Sequence, residues 1–364
     1  MNQSLDSIEK STDVAIIGAG PIGLELAAAL KELGVSYLHF EARQIGHTIS
    51  WWPRNTYFFS TTERIEIAGI PVPSTTQGRI TGEEYLAYLR GVVEQLDLQI
   101  NSYEPVVDLH PLPNGFQLRT TSPRGERNYF ANKVVLANGD MDFPNRLEIP
   151  GEDLPHVTHY FTDPHMYFRK RLLIVGGRNS AVEAALRCWR TGVNVSLSYR
   201  RDEFDAQLVK HWLLPDLLTQ ISHGNILFYP NTLPIEITNQ SVILSHIREG
   251  RLSGGKPITV PADFVFLATG YRADTRLFEI AGVRLIGEEC APEHNPDTME
   301  TNIPGLYVAG TSAGGSQSRY RVFIENSHEH VGKIVYALTG KWPARIGSIP
   351  GRQYELPIEA IQSN

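Results

Sequence analysis

The chain has 364 residues, 41% of them hydrophobic and 20% charged, which is length for two domains and apolar material for a sizeable core. A net charge of −7 excludes a sequence-independent nucleic-acid binder, which needs a basic field. Two cysteines in the whole chain exclude a disulfide scaffold and fit a reducing, cytoplasmic setting.

The polar N-terminus, 1–13, lacks the apolar centre of a signal peptide. The most apolar stretch, 14–30, is broken by Gly, Pro and Glu25, and is not read as a transmembrane helix. Within it, residues 13–18 form a β-branched run of the kind found in buried parallel strands. Gly18-Ala19-Gly20-Pro21-Ile22-Gly23 follows at once. Residues 24–33 read as a helix, and 35–40 as a second strand closing on Glu41 and Ala42. This is G-x-G-x-x-G in its strand–turn–helix context, with an acid 18 residues beyond the last glycine. Gly18 permits the turn, Gly20 admits a pyrophosphate to the backbone, and Gly23 lets helix pack on strand. The helix N-terminus offers free N–H groups and a positive dipole end to phosphates, while Glu41 can accept both hydroxyls of an adenosine ribose.

Residues 83–96 read as a helix, followed by short strands at 98–100, 105–109 and 116–120. A longer strand, 130–136, ends in Ala137-Asn138-Gly139. The Pro- and Gly-rich stretch 143–155 is the expected crossing between domains.

From residue 172 the first pattern begins again. Laying Gly18 on Gly176, an offset of 158, needs no gap: Glu25 falls on Glu183 and Gly34 on Gly192. The differences are informative. Gly23 becomes Ala181, which still packs. Glu41 becomes Tyr199, followed by Arg200 and Arg201, an exchange of carboxylate for guanidinium that suits a 2′-phosphate and favours NADP over NAD. Gly20 becomes Arg178, which either clamps the phosphates or changes which dinucleotide fits. Gly176, Gly177, Arg178, Asn179, Ser180, Arg200 and Arg201 are the candidate residues of this second site. NADPH is expected there, and a second FAD is the alternative.

A strand at 264–268 closes the second unit. Another at 305–310 and a helix at 321–338 resemble the end of the first unit. The expected fold is therefore α/β: two Rossmann-like three-layer nucleotide-binding domains, the second (151–270) inserted into the first (1–150 and 271–340), with an extended tail at 341–364.

These residues together resemble the flavoprotein disulfide reductases of thioredoxin-reductase type, with the bacillithiol-disulfide-reductase-like branch the nearer likeness. The matching segments are 18–23, 58–67, 150–154 with 159–161, 175–183, 299–305 and 323–326, spread over most of the chain. The resemblance implies FAD on the first unit, a nicotinamide nucleotide on the second, and electron flow through the flavin. It implies FAD contacts at Gly18, Gly20, Pro21, Ile22, Gly23, Glu41 and Ala42, with Val106 meeting the adenine and Ala137, Gly139, Gly310 and Thr311 flanking the rest of the cofactor. Phe323 and Ile324 would lie at the pyrimidine end of the isoalloxazine, where a helix dipole stabilises reduced flavin. Trp52, with Trp51, Phe58 and Phe59, would wall the ring or form ordinary core.

The chain departs from that group in its thiols. It has no C-x-x-C, and Ile22 stands where the nearer branch often carries cysteine. Gly310-Thr311 replaces the Gly-Asp of the thioredoxin reductases. Cys188, beside Trp189 in a helix, reads as packing; Cys290, in a loop, is the one candidate catalytic thiol. His328 and His330, two apart on a helix, point apart and are not read as metal ligands. The acceptor is a small-molecule or protein disulfide or another redox acceptor, with no nucleic acid and no membrane span among the partners and self-association left open. Two alternatives stand beside this reading. One is a flavoprotein whose second site holds a dinucleotide other than NADPH, a second FAD among the candidates, and which is reduced by a protein electron donor, motivated by Arg178. The other is a flavin monooxygenase, against which counts the lack of an F-x-G-x-x-x-H element before the second glycine loop.

Overall fold

The computed structural model describes residues 8–76, 78–248, 251–253 and 255–348. Of these, residues up to Trp51, Asn55–Phe143 and those from Tyr271 onward make one compact unit; Trp52–Arg54 and Pro144–Gly270 make a second.

In the first unit, β1 (Ile8–Ile17) leads through the glycine loop into α1 (Pro21–Glu32) and then β2 (Tyr37–Glu41). Val14, Ala15, Ile16 and Ile17 are all buried, as a strand covered on both faces requires. The helix begins at Pro21, three residues before the apolar run that marks it in sequence, because proline suits the first helical position, where no amide partner is needed. Next come α2 (Gly82–Gln95), β3 (Asn101–Ser102) and the meander β4 (Val106–Leu112), β5 (Gly115–Ser122) and β6 (Gly125–Leu136). Residues 98–100 are not the strand expected of them. Leu98 donates its N–H to the Val93 carbonyl and buries its side chain, finishing the end of α2.

In the second unit, β7 (Val157–Thr158) precedes β8 (Arg171–Val175), α3 (Asn179–Arg190), β9 (Asn194–Tyr199), α4 (Leu214–Ser222) and β10 (Ile226–Pro230). An antiparallel set, β11 (Thr232–Ile237), β12 (Ser241–Arg248), β13 (Arg251–Leu252) and β14 (Ile258–Pro261), leads to β15 (Phe264–Leu267). The parallel sheet runs β10-β9-β8-β15-β7. Successive side chains of β8 serve opposite faces. Leu172 and Ile174 join the core formed with Ala181, Val182, Ala185 and Leu186 of α3. Leu173 and Val175 join the core formed with Ile237, Val242, Leu244 and Val260 of the antiparallel sheet. Helix, parallel sheet and antiparallel sheet are three layers.

Back in the first unit, a hairpin of β16 (Leu285–Ile286) and β17 (Ala291–Pro292) precedes β18 (Leu306–Val308) and α5 (Ile324–Thr339). The large sheet has the order β3-β2-β1-β6-β5-β4, with β18 on the C-terminal end of β6. β6 pairs parallel with β1 along one edge and is long enough to serve two strands along the other: 125–131 pairs antiparallel with β5, and 134–136 parallel with β18. α5 starts three residues later than its apolar pattern suggests. The Gln317 side-chain oxygen takes the N–H groups of Arg321 and Val322, at 2.8 and 2.9 Å, and holds that stretch out of the helix. Residues 341–348 contain no helix or strand, and 349–364 of the expected tail lie outside the described residues. The α/β architecture of two Rossmann-type units, the second interrupting the first, is the expected one. No helix among the described residues is long and apolar enough to cross a membrane.

Candidate functional site

The first glycine loop is built by close contact. Gly18 has a φ of +107°, and a Cβ there would overlap the Ala137 carbonyl; one on Gly23 would overlap the carbonyl of Gly18. A Cβ on Gly20 would meet nothing within 4 Å. The loop is thus tight on its protein side and open at the glycine expected to face a pyrophosphate. Gly20 is also the N-cap of α1 and supplies no side-chain cap, so the first-turn N–H groups remain available to an anion. Beneath the loop, the fully buried His39 lies 2.9 Å from the Gly18 carbonyl through Nε2. Burial holds its pKa down to about 4, so the neutral ring donates Nε2–H and the loop carbonyl is held by a group that stays uncharged near neutral pH.

Glu41 ends β2 almost fully buried. Its Oε2 accepts the Ala19 N–H and its Oε1 the Arg43 N–H, both at 2.8 Å. Burial raises its pKa, against the lowering effect of those two amides. Each carboxylate oxygen can accept more than one hydrogen bond, so capacity for ribose hydroxyls remains. Ala42, next to it, is exposed. The Glu41 carbonyl accepts the Glu104 N–H, and Val106, largely buried at the start of β4, lies two residues on.

The remaining first-unit candidates gather around the same loop. Ile22 is buried against Gly310, whose Cβ position would lie 3.4 Å from that of Ile22. The Gly139 N–H donates to the Ser312 hydroxyl at 2.7 Å. Thr311 hydrogen-bonds Asp140, a residue the sequence reading missed although it directly follows Gly139. Asp140 also accepts from Gln317 Nε2 at 3.1 Å, and the same Nε2 reaches the Val322 carbonyl. Burial pushes the Asp140 carboxyl up to about 6. A chain of polar contacts therefore runs from Thr311 through Asp140 and Gln317 to the residue before Phe323 and Ile324, at the start of α5. Pro21 opens α1 beside Ile22. Trp52 is grouped with the second unit. Trp51 packs on Tyr271 with centroids 4.8 Å apart, Phe58 is buried edge-on to Tyr85, and Phe59 carries the Arg79 guanidinium on its ring.

The second loop repeats the first with altered detail. Gly176 turns against Ala268, and Arg178 is the N-cap of α3, again without a side-chain cap. A Cβ on Gly177 would fall 2.6 Å from three atoms of the Tyr199 ring. Tyr199 stacks on Phe204, which packs on Phe228. Asn179 accepts the Lys210 N–H at 2.7 Å. Ser180 and Arg200 are exposed; Arg201 is exposed and lies 3.4 Å from Asp205.

The two thiols differ. Cys188 is fully buried on α3, and burial pushes its pKa up to about 12, so it is held as an unreactive thiol. Cys290 is exposed in the β16–β17 hairpin with a φ of +51°. The neighbouring Glu289 carbonyl accepts the Ser316 N–H at 2.7 Å.

The family model for pyridine nucleotide-disulphide oxidoreductases matches residues 15–310. Bacilliredoxin reductase Bdr of Bacillus subtilis (strain 168) is 35% identical over 320 residues, covering 88% of this chain and 95% of that protein. Ferredoxin–NADP reductase of Ignicoccus hospitalis is 26% identical over 91% of this chain and 99% of its own length. Among solved structures, bacillithiol disulfide reductase Bdr from Bacillus cereus superposes with a TM-score of 0.84 at 32% identity, covering 91% of this chain and 99% of that one.

Proposed function

The chain belongs to the pyridine nucleotide-disulphide oxidoreductase family, and from that premise we propose that its first unit holds FAD, its second NADPH, and that two electrons pass from NADPH through FAD to a small disulfide or similar acceptor without a thiol relay in the protein. It is an FAD-dependent oxidoreductase resembling the thioredoxin and bacillithiol disulfide reductases.

One observation carries the assignment of the two sites. Two strand–glycine-loop–helix units, each with an uncapped helix N-terminus, end in different chemistry: Glu41 in the first, Tyr199-Arg200-Arg201 in the second. A buried carboxylate suits the free ribose hydroxyls of FAD, and an arginine pair suits the 2′-phosphate of NADPH. Gly18, Gly20, Pro21, Ile22, Gly23, Glu41 and Ala42 would hold the adenosine diphosphate, with Val106 at the adenine. Ala137, Gly139, Gly310, Thr311, Phe323 and Ile324 would hold the flavin half. Gly176, Gly177, Arg178, Asn179, Ser180, Arg200 and Arg201 would hold the nicotinamide nucleotide. FAD, when bound, supplies a two-electron carrier between nicotinamide and acceptor. For a disulfide the overall reaction is NADPH + H⁺ + R–S–S–R → NADP⁺ + 2 R–SH.

The relatives differ in acceptor. The Bacillus proteins are named for bacilliredoxin and bacillithiol disulfide, the Ignicoccus protein for ferredoxin. Ile22 and the inert Cys188 argue for direct reduction of the acceptor here. Reducing conditions, and hence the cytoplasm, suit two free thiols.

The deciding experiment denatures the purified protein, identifies the released nucleotides and counts them per chain, then titrates the holoprotein anaerobically with NADPH and NADH. One FAD per chain, reduced faster by NADPH than by NADH, is the expected result. Two FAD per chain with no reduction by NADPH would overturn the second-site assignment, and a hydroxylated product would overturn the acceptor class.

A further inference from the structure

Glu25, two residues into α1 from the glycine loop, is completely buried, and so is His328 on α5. His328 Nδ1 lies 2.7 Å from Glu25 Oε2, and its Nε2 lies 3.2 Å from the Arg64 carbonyl. With Glu25 as a carboxylate, both partners are acceptors, and the ring then donates from both nitrogens as an imidazolium. Glu25 Oε1 takes two further donors, the N–H groups of Ala68 and Gly347. Gly347 packs so closely on the imidazole that a Cβ there would fall 2.5 Å from two of its ring atoms. The pair joins four separate parts of the first unit that otherwise share no strand: α1, residues 64–68, α5 and residue 347.

We propose that Glu25 and His328 are positioning residues for the flavin: their ion pair fixes the N-terminal end of α5, at Phe323 and Ile324, against the N-terminal end of α1, at Gly20–Ile22, and releases that spacing when the imidazolium loses its proton. The inference rests on the assignment of FAD to the first unit. His328 lies one helical turn beyond Ile324, and Glu25 one turn beyond Pro21. The pair therefore sits directly behind the two helix ends on which opposite halves of the cofactor are assigned. If the proton leaves, Glu25 keeps its charge with two amide donors and no cation, which is costly in a buried site.

The charged and titratable groups facing His328 come from each neighbouring element. Glu25 belongs to α1, with Tyr85 and Tyr88 of α2 beyond it. Arg64 and Glu66 belong to the segment between α1 and α2, and Glu325 and His330 to α5 itself. Arg64 pairs with the buried Glu325 at 3.8 Å. Against the opposing effect of burial, Glu25 raises the His328 pKa above its ordinary value. In the second unit, the equivalent acid, Glu183, takes Lys210 at 3.1 Å. The device recurs there with a lysine, which places the histidine proton on the FAD side alone.

The test measures FAD release by flavin fluorescence after dilution of the holoprotein at pH 6 to 9.5, with far-UV circular dichroism at each pH. The wild-type protein is expected to lose FAD affinity by about tenfold or more as pH rises, while its dichroism is unchanged. His328→Gln should bind weakly at pH 6 and show no further fall. Glu25→Gln should move the midpoint to lower pH. A flat wild-type profile, a fall in stability without a change in FAD affinity, or an unchanged midpoint in Glu25→Gln would overturn the inference. Should neither variant fold, the wild-type profile decides alone. A chain that carries no FAD at any pH would instead overturn the cofactor assignment on which the inference rests.

Discussion

Gly177 lies against the face of Tyr199, with no room for even a methyl group between them. In the first unit the residue equivalent to Tyr199 is Glu41, which reaches back to the Ala19 amide in its own loop. The same strand end therefore braces the phosphate loop in both units. One does it with a carboxylate that can also bind ribose, the other with a ring that cannot.

The contact predicts that Gly177→Ala disturbs the second loop without touching the first. Forcing a methyl into a packed site costs about 1–3 kcal/mol, and the loop is the softer partner. KM for NADPH should rise about tenfold while FAD content stays at wild-type level. Steady-state kinetics with flavin quantitation checks this, and loss of FAD from the variant would count against it. Tyr199→Phe, which keeps the ring, should behave as wild type.

Arg200 is exposed beside Tyr199, whereas Arg201 lies 3.4 Å from Asp205. The freer guanidinium is the better phosphate ligand. Arg200→Ala should raise KM for NADPH by roughly ten- to a hundredfold, the value of a charge-assisted hydrogen bond, and leave KM for NADH within about twofold. Equal effects on both donors would show that Arg200 does not read the 2′-phosphate.

Cys188 and Cys290 are expected to be spectators in turnover. Cys290→Ser should leave kcat unchanged with a disulfide acceptor, and alkylation of the native protein should do the same, because Cys188 is buried with its pKa near 12. Cys188→Ala should lower the melting temperature by a few degrees, since it removes a core side chain. A loss of turnover in Cys290→Ser would restore a protein thiol to the mechanism.

Asp140 carries a stability cost that pH reveals. Burial raises its pKa to about 6 from an ordinary value near 4. The folded state thus binds the proton more tightly than the unfolded one. Its contribution is most favourable below about pH 4 and is lost as pH rises through 6. Asp140→Asn, which keeps an acceptor for Gln317 or Thr311, should stabilise the protein at pH 8 by on the order of 2–3 kcal/mol and change little at pH 4.5. Thermal melts at the two pH values test this; equal shifts at both would refute a charge-burial cost.

Much of the plan was legible in the chain itself because a Rossmann unit is local. Strand, loop, helix and second strand follow one another within about thirty residues, so the spacing from Gly18 to Glu41 and its repeat at Gly176 reveal both units and their order. The strand ends at Ala137, Gly139 and Gly310 are legible for the same reason. Boundaries were less so: Leu98 looks like strand but closes a helix, and residues 321–323 look helical, yet the Gln317 side chain takes the amides of Arg321 and Val322 and the Asn326 side chain that of Phe323. The polar network was not legible at all. Asp140 meets Thr311 across 171 positions of chain, and Glu25 meets His328 across 303. No periodicity links such partners, and a buried charge is tolerated only where distant elements bring its donors together. Sequence alone therefore determined the two nucleotide loops and their chemical difference. Only the tertiary structure decided how buried carboxylates behind the first of them are neutralised, because that depends on which segments of the fold converge.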